Sequence, residues 1–271
     1  MNTLRKMPEY NHISFVELME GFAPVSLEEM DSVKLMNRID SKYITDEEVL
    51  YDILKDALKA GYRALDTEGA KINPYDSLYY DTDGLYMYYA HRNRKLVRQK
   101  VRTRTYLTTG ISFLEIKRKN NKGRTKKKRI GIPFSDFAGF SGNNEATDYL
   151  AKHSDYTADD LEPVVETLFN RITLVNPEKT ERLTIDTCLN FKNHRSGLEA
   201  SLRNAVIIEL KQDGRAASQM KKILLDYRVK PRRVSKYCIA VTMTDPGVCP
   251  GRFKQKVHII EKIINKKVKV L

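Results

Sequence analysis

The sequence predicts an α+β fold in which about eight β-strands form a barrel and helices occupy the connections. Three observations predict it. Short segments alternate charged and apolar residues with the period of a strand, turn and capping signals separate these segments, and amphipathic helical segments lie between them. No repeat of fixed period and no long linker interrupts the 271 residues, so we expect a single domain over residues 1–271.

The N-terminal part of the chain predicts a helix, a strand and a second helix. Apolar residues form one stripe of a short first helix, and Pro24 marks the break after it. The capping box Thr45–Glu48 opens the second helix, and Gly61 stands where a left-handed C-cap is expected. The predicted bounds are 11–22 for the first helix, 34–43 for the strand and 45–60 for the second helix.

The middle of the chain predicts mainly β-structure. Asn120–Gly123 is a hairpin turn signal between two strongly charged strands. A short helical segment with aromatic residues is predicted at 83–93. The predicted strands of this part are 75–81, 95–106, 112–119 and 124–132.

The C-terminal half predicts alternating helices and strands. Thr157–Asp160 is a second capping candidate within a long helical stretch. The predicted helices are 145–170, 216–227 and a basic helix at 251–266, and the predicted strands are 171–176, 181–191, 205–213 and 236–243.

Three of the predicted strands place their charges on one face. The runs Arg102–Arg104, Glu115–Lys119 and Glu209–Lys211 each carry charges two residues apart. Their alternate neighbours are often apolar, which indicates that the opposite face is covered and that the charged face lines a cavity. The alternative is a solvated face with cross-strand ion pairs, which is common for any single run. Three such runs favour the cavity.

A cavity of this composition calls for an anionic ligand. Like charges repel and desolvation costs several kcal/mol per uncompensated ion, whereas a chain of phosphates would suit both Arg and Lys donors. The side chains that we expect to face the cavity are Arg38, Lys42, Arg102, Arg104, Glu115, Lys117, Lys119, Lys128, Arg171, Arg182, Glu209, Lys211, Arg233, Ser235 and Lys236.

The composition of the whole chain points the same way. A formal net charge of +13 and a pI near 9.5 require nucleic acid, an anionic membrane surface or a phosphorylated molecule as partner. No glycine-rich phosphate loop is present, so any nucleotide would be held by side chains. Neither a signal peptide nor an apolar run that could span a membrane is visible, and three widely spaced cysteines indicate a reduced, cytoplasmic protein.

Two further groups of residues give weaker signals. The tyrosines between Tyr79 and Tyr89 could stack bases, but packing between sheet and helix is the better interpretation. The basic stretch Lys117–Arg129, which contains Lys126–Arg129, is interpreted as a hairpin whose base points residues into the cavity and whose tip gathers anions. A solvated hairpin tip, nuclear import and nucleic-acid contact are the alternatives.

Eight short motifs resemble the VTC domain, the catalytic domain of polyphosphate polymerases, and they occur in the order expected for that family. The resemblance covers a core at about 34–243, flanked by N- and C-terminal helices. It implies the fold of the triphosphate tunnel metalloenzymes: an antiparallel eight-stranded β-barrel tunnel with helices packed outside. The chain is similar to the stand-alone bacterial members of the family. The motifs are Arg38–Tyr43, Tyr79–Thr82, Arg102–Arg104, Phe113–Lys119, Asn170–Arg171, Glu181–Asp186, Ile208–Lys211 and Val234–Tyr237.

The resemblance also implies roles for individual residues. Glu209 corresponds to a carboxylate that binds Mn²⁺ or Mg²⁺, and Glu115 would assist it. For Lys128 and Arg233 the choice between neighbouring basic residues stays open. The implied catalytic phosphate ligands are Lys42, Arg102, Arg104, Lys117, Arg171, Arg182 and Lys236, and the implied further substrate contacts are Arg38, Lys119, Lys128, Lys211, Arg233 and Ser235.

Three functions are open at this point. The resemblance implies transfer of the ATP γ-phosphate to polyphosphate, the same fold supports triphosphate hydrolysis, and charge alone fits a non-catalytic polyanion-binding module. The Glu-x-Glu-x-Lys signature of hydrolytic relatives has Phe113 at its first position here, which favours the polymerase. The expected partners are ATP, triphosphate and polyphosphate. Nucleic acid is not expected, and a membrane protein is left open as a further partner.

Overall fold

The computed structural model describes residues 12–31, 38–214, 217–264 and 269–270. The strands in these ranges belong to one 12-stranded sheet. They are β1 Pro24–Val25, β2 Arg38–Asp46, β3 Arg63–Leu65, β4 Asn73–Asp81, β5 Arg98–Tyr106, β6 Ile111–Lys119, β7 Thr125–Ile132, β8 Glu162–Val175, β9 Glu181–Asn193, β10 Glu199–Leu202, β11 Ala205–Asp213 and β12 Lys269–Val270.

One helix of the same ranges precedes β1, and the others lie in the connections between strands. They are α1 His12–Glu20, α2 Leu27–Asp31, α3 Glu47–Lys59, α4 Tyr86–Arg92, α5 Asn144–His153, α6 Gln219–Asp226, α7 Lys236–Thr244 and α8 Arg252–Ile263, with a short 3-10 helix at Phe134–Asp136.

Eight strands form a continuous antiparallel path in the order β2, β11, β9, β8, β4, β5, β6 and β7. The shorter strands extend it: β10 and β12 continue from β9, while β3 and β1 continue from β8. The α+β class and the antiparallel sheet that the sequence predicts are therefore confirmed.

The prediction of a closed eight-stranded barrel is wrong. Within the described ranges, β2 pairs only with β11 and β7 pairs only with β6, so the sheet keeps two edges. The outer edge of β2 is instead occupied by the segment before α7, where the Arg232 amide donates to the Lys42 carbonyl at 2.6 Å. The edge at β7 carries the exposed run Lys126–Arg129, and lysine-rich edges disfavour further strand pairing.

The sheet curves strongly even though it stays open. Lys117 of β6 and Glu209 of β11 interact electrostatically, although four strands separate β6 from β11 along the path. The charge of Lys42 on β2 likewise lowers the pKa of Lys100 on β5. The two halves of the sheet therefore face each other across a concave surface, which we call the concave face.

Apolar side chains on the other side of the strands pack under helices. One cluster joins Ile208 and Leu183 to α1, α3 and α6, and a second joins Leu114 and Ile116 to α5. This packing explains the alternation in the sequence: apolar residues bury area beneath the helices, at about 25 cal/mol per Å², and the charged residues between them point to the concave face.

The predicted strand at 236–243 is a helix, α7. Its N-cap is Ser235, whose hydroxyl oxygen accepts from the Cys238 amide at 3.3 Å. Residues Tyr237–Val241 are all buried, because α7 and α8 together cover the apolar end of the concave face. A helix that is apolar on all sides has no 3.6-residue pattern, and its β-branched residues imitate a strand.

Two other elements differ from the prediction. The helical stretch at 145–170 ends at His153, and β8 begins at Glu162. The capping candidate Thr157–Asp160 forms a turn, in which the Asp160 carboxylate accepts from the Thr157 amide at 2.7 Å. For α3, the N-cap is Asp46, whose carboxylate accepts from the Val49 amide at 2.9 Å. The remainder of the strand predicted at 34–43 before Arg38 lies outside the described residues.

Candidate functional site

The wall formed by β5 and β6 holds the first charged cluster of the concave face. Register pairs Arg102 with Glu115, and Glu115 is completely buried. The Arg102 guanidinium donates to Glu115 Oε2 at 2.7 Å and to the Tyr79 hydroxyl at 2.9 Å. Lys127 of β7 forms an ion pair with the other carboxylate oxygen. Burial raises the pKa of Glu115, but Arg102, Arg104 and Lys127 outweigh it and hold that pKa well below its usual range.

Strands β8 and β9 carry a second cluster around Asp186. Arg171 donates to both carboxylate oxygens of Asp186, at 2.6 and 2.9 Å, and Lys236 from the first turn of α7 forms an ion pair with the same group. The side chain of Asp186 is only 5% exposed. Burial raises the pKa of Asp186, but Arg171 and Lys236 outweigh that effect and hold the pKa well below its usual range. The carboxylate is therefore ionised at neutral pH.

Glu209 stands on the opposite wall, where β11 pairs with β2. Its carboxylate lies 2.7 Å from Lys42 Nζ, and it is a quarter exposed to the concave space. Burial raises its pKa, but Lys42, Lys211 and Lys117 hold the pKa well below the usual range of a carboxyl. Glu209 is therefore a charged, accessible carboxylate surrounded by lysines.

The first residues of α7 close the gap between the walls. The Ser235 hydroxyl accepts from Lys100 Nζ of β5 at 2.7 Å, and Lys236 reaches Asp186. Lys236 Nζ also lies 3.3 Å from the centre of the Phe169 ring. Because α7 is a helix, its N-terminal amides and these two side chains all point toward the charged part of the concave face.

Positive charge exceeds negative charge on this surface. Glu115 and Asp186 each serve two cations, while Arg104 and Lys117 form no ion pair in the described part of the chain. Among the lysines of the face, the pKa of Lys117 reflects this excess most directly. Arg102 and burial hold the pKa of Lys117 well below its usual range, and burial lowers the pKa of Lys236 and brings that of Lys211 to about 8. An anion bound here would reverse these shifts.

The structure brings most of the predicted site residues to the concave face. Register places Lys119 there at the end of β6, and Arg182 opposite Lys211. For Arg38 the structure describes only the backbone, which pairs with Asp213. The residues found together on the face are Lys42, Arg102, Arg104, Glu115, Lys117, Lys119, Arg171, Arg182, Glu209, Lys211, Ser235 and Lys236.

Two predicted residues lie elsewhere. Lys128 pairs with Ile116, whose side chain packs under α5, so Lys128 points outward, and the inward position belongs to Lys127. The prediction is off by one residue, which in a strand moves a side chain to the other face. Arg233 is exposed and lines a separate cleft beside α8.

Four residues of the site are absent from the site residues that the sequence predicts. Lys100 lies two residues before Arg102, and Asp186 lies on the same face of its strand as Arg182. The two-residue period could therefore have predicted both positions. The inward direction of Lys127 could be assigned only from the register of the hairpin. Tyr79 was interpreted as packing, whereas its hydroxyl bonds to Arg102. Burial raises the pKa of Tyr79, but Arg102, Lys100 and Arg104 bring it below the ordinary value.

The two carboxylates that the resemblance assigns to a metal ion, Glu115 and Glu209, differ in how well they fit that role. No cluster of three or more His, Cys, Asp or Glu side chains that could hold an ion exists in the described ranges. Glu115 does not fit the assisting role, because Arg102 and Lys127 occupy both of its oxygens. Glu209 fits, since Mg²⁺ and Mn²⁺ bind through one or two carboxylates together with substrate phosphates and water.

Fold and site together define an α+β protein whose antiparallel sheet carries a basic concave face. The family model of the VTC domain matches residues 37–244. The chain therefore belongs to the VTC domain family. A search of the curated proteins finds no match. None of the helices in the described ranges has the length and apolar character needed to cross a membrane.

Several solved structures resemble the chain at low sequence identity. A putative adenylate cyclase from Bacillus halodurans is 12% identical, with a TM-score of 0.48 over 74% of this chain and 96% of that one. A putative adenylate cyclase from Vibrio parahaemolyticus is 10% identical, with a TM-score of 0.42 over 74% and 96%. A putative adenylyl cyclase from Hippeastrum, described as having a dominant triphosphatase activity, is 12% identical, with a TM-score of 0.49 over 76% and 96%.

The opposite faces of Lys127 and Lys128 give a matched test of the site. Lys127→Met should weaken the binding of inorganic tripolyphosphate about tenfold, because a hydrogen bond to a charged group contributes about 1.5 kcal/mol. Lys128→Met removes the same charge from the outer face and should leave the affinity within about twofold of wild type. Titration calorimetry measures both, and equal losses in the two variants would contradict the inward assignment of Lys127.

The pKa of Lys211 predicts a proton linked to ligand binding. In the free protein this pKa is about 8, and a bound polyanion raises it, so binding at pH 8 takes up protons and affinity falls as pH rises through 8. Calorimetry in two buffers of different ionisation enthalpy measures the uptake. Lys211→Met should take up fewer protons than wild type, while Lys222→Met, on an exposed helix position, should match wild type. Protons that tripolyphosphate itself exchanges on binding contribute equally in all three proteins. Equal proton uptake by all three would contradict the assignment of the linked proton to Lys211.

Proposed function

We propose that this chain is a metal-dependent polyphosphate polymerase, which transfers the γ-phosphate of ATP to a growing polyphosphate chain bound along the concave face. The observation that carries the proposal is the excess positive charge of that face, where Arg104 and Lys117 form no ion pair among the described residues. The family match over residues 37–244 supports the same activity.

The arrangement of the cations favours a linear polyanion over a compact anion. Side chains two residues apart on a strand are separated by about 7 Å. Lys100, Arg102 and Arg104 therefore form a row along β5, and Arg171 and Lys236 face that row from the other half of the sheet. Successive phosphate groups of a chain can bind successive members of such a row, with arginine offering two parallel donors and lysine a compact charge.

The buried carboxylates would keep these cations in position. Glu115 holds Arg102 and Lys127, and Asp186 holds Arg171 and Lys236. Phosphoryl transfer depends mainly on alignment and on stabilising the charge of the equatorial phosphate oxygens. Cations whose side chains are fixed before the ligand arrives supply that stabilisation with little reorganisation.

Glu209 is the residue that we propose would hold Mn²⁺ or Mg²⁺ together with phosphate oxygens. Such an ion supplies charge neutralisation on the phosphates during transfer. Lys42 lies 2.7 Å from the same carboxylate and would offer its ammonium group to a phosphate bound beside it. The partners proposed for this site are ATP, triphosphate and polyphosphate. We also propose a cytoplasmic location.

One assay separates polymerase, triphosphatase and binding module. Purified protein is incubated with ATP and Mn²⁺, and the products are followed on a gel stained for polyphosphate and by release of free phosphate. Long polymer supports the proposal. Free phosphate without polymer would contradict the proposal and indicate a triphosphatase, in which water takes the place of the acceptor chain. If neither polymer nor free phosphate forms, the chain is a binding module without catalytic activity.

The same assay tests the role of Glu209. Glu209→Ala should abolish turnover and leave tripolyphosphate binding partly intact, because the cations of the face remain. Glu178→Ala, at an exposed turn outside the face, should keep full turnover. Turnover that survives in Glu209→Ala, with the same dependence on Mn²⁺ concentration as wild type, would contradict the metal assignment.

A further inference from the structure

A second basic surface lies beside the concave face, in a cleft between α8 and the segment that precedes α7. We call it the α8 cleft. Arg94, Arg233, Arg252 and Lys256 line it, and its floor contains aliphatic side chains such as Ile239 and Ile260. It is separate from the charged clusters around Glu115, Asp186 and Glu209.

The cations of the α8 cleft have no carboxylate partner within the described ranges. Arg252 donates to the carbonyl of His91 at 2.5 Å, and Lys256 donates to the carbonyl of Arg233, so neutral groups hold both side chains. The Arg252 Nε atom is buried without a hydrogen-bond partner. Burial lowers the pKa of Lys256, and the charges of Arg252, Arg233 and Arg94 lower it further.

Two connections join the α8 cleft to the concave face. Arg98 interacts electrostatically with Arg252 and Arg233, and it stands on β5 two residues before Lys100, on the face that carries Arg102. Arg233 stands two residues before Ser235, whose hydroxyl accepts from Lys100. The basic row of β5 therefore continues from the concave face into the cleft.

We infer that the α8 cleft binds the part of a polyphosphate chain that extends beyond the concave face. The inference rests on the proposed function for the identity of the polyanion. A linear chain of phosphates is the ligand that can follow the row from Arg104 past Lys100 and Arg98 and reach Arg252 and Lys256. The aliphatic floor excludes water on one side, which strengthens the attraction between these cations and an anion.

The inference predicts that the contribution of the cleft depends on chain length. Tripolyphosphate can occupy the concave face alone, whereas a long chain occupies both surfaces. The double variant Arg94→Gln/Lys256→Gln should therefore bind tripolyphosphate like wild type and bind long-chain polyphosphate several-fold more weakly. Loss of two phosphate contacts should also reduce the magnitude of the slope of log affinity against log salt concentration for the long chain by about 1.5.

The matched control is Lys230→Gln/Lys254→Gln, which removes the same net charge from exposed positions beside the cleft. Titration calorimetry with both polymers measures all three proteins, and circular dichroism verifies that each variant is folded. Long-chain affinity that falls only in Arg94→Gln/Lys256→Gln supports the inference. Equal long-chain affinity in the two double variants, or no long-chain binding by wild type, would overturn it. Failure of wild type to bind tripolyphosphate would contradict the proposed function instead. The comparison of the two double variants with the long chain would still show whether the α8 cleft binds polyphosphate.

Discussion

The pairing of a few buried carboxylates with a larger number of cations determines how the concave face is built. Glu115 and Asp186 are almost fully buried, and each is contacted by an arginine from a neighbouring strand and by a lysine from another element. Burial of one unpaired charge costs several kcal/mol, so these four cations and two carboxylates can only be removed from water together. The strand register that brings them into contact is thereby fixed.

The same constraint explains the position of α7. Lys236 reaches Asp186 only because Ser235 caps the helix at that point, and the apolar body of α7 covers the other end of the concave face. One helix therefore closes the hydrophobic end of the sheet and contributes a cation to the charged end. The segment before it occupies the edge of β2, which keeps the sheet from closing and places Arg233 in the α8 cleft.

The sequence was sufficient for the parts of the fold that depend on a two-residue period. Strands β5, β6 and β11 and most of their inward residues follow from the alternation of charged and apolar residues. The helix α7 could not be predicted in this way, because burial on all sides removes the pattern. Lys128 was chosen instead of Lys127 because the run Lys126–Lys128 is uniform, and only the pairing across the hairpin distinguishes its members. The roles of Lys100 and Asp186 were within reach of the pattern, whereas that of Tyr79 required the contact with Arg102.

The central claim is that the site without ligand carries excess positive charge, which a bound polyanion neutralises. A variant of Lys117 tests this claim most directly. Lys117 forms no ion pair in the described part of the chain, and Arg102 lowers its pKa. Thermal unfolding of wild type and Lys117→Met, each with and without tripolyphosphate, is the measurement. The account predicts that Lys117→Met unfolds at a higher temperature than wild type without ligand, because repulsion is relieved, and gains less from the ligand. A lower unfolding temperature without ligand, together with an undiminished gain, would contradict it.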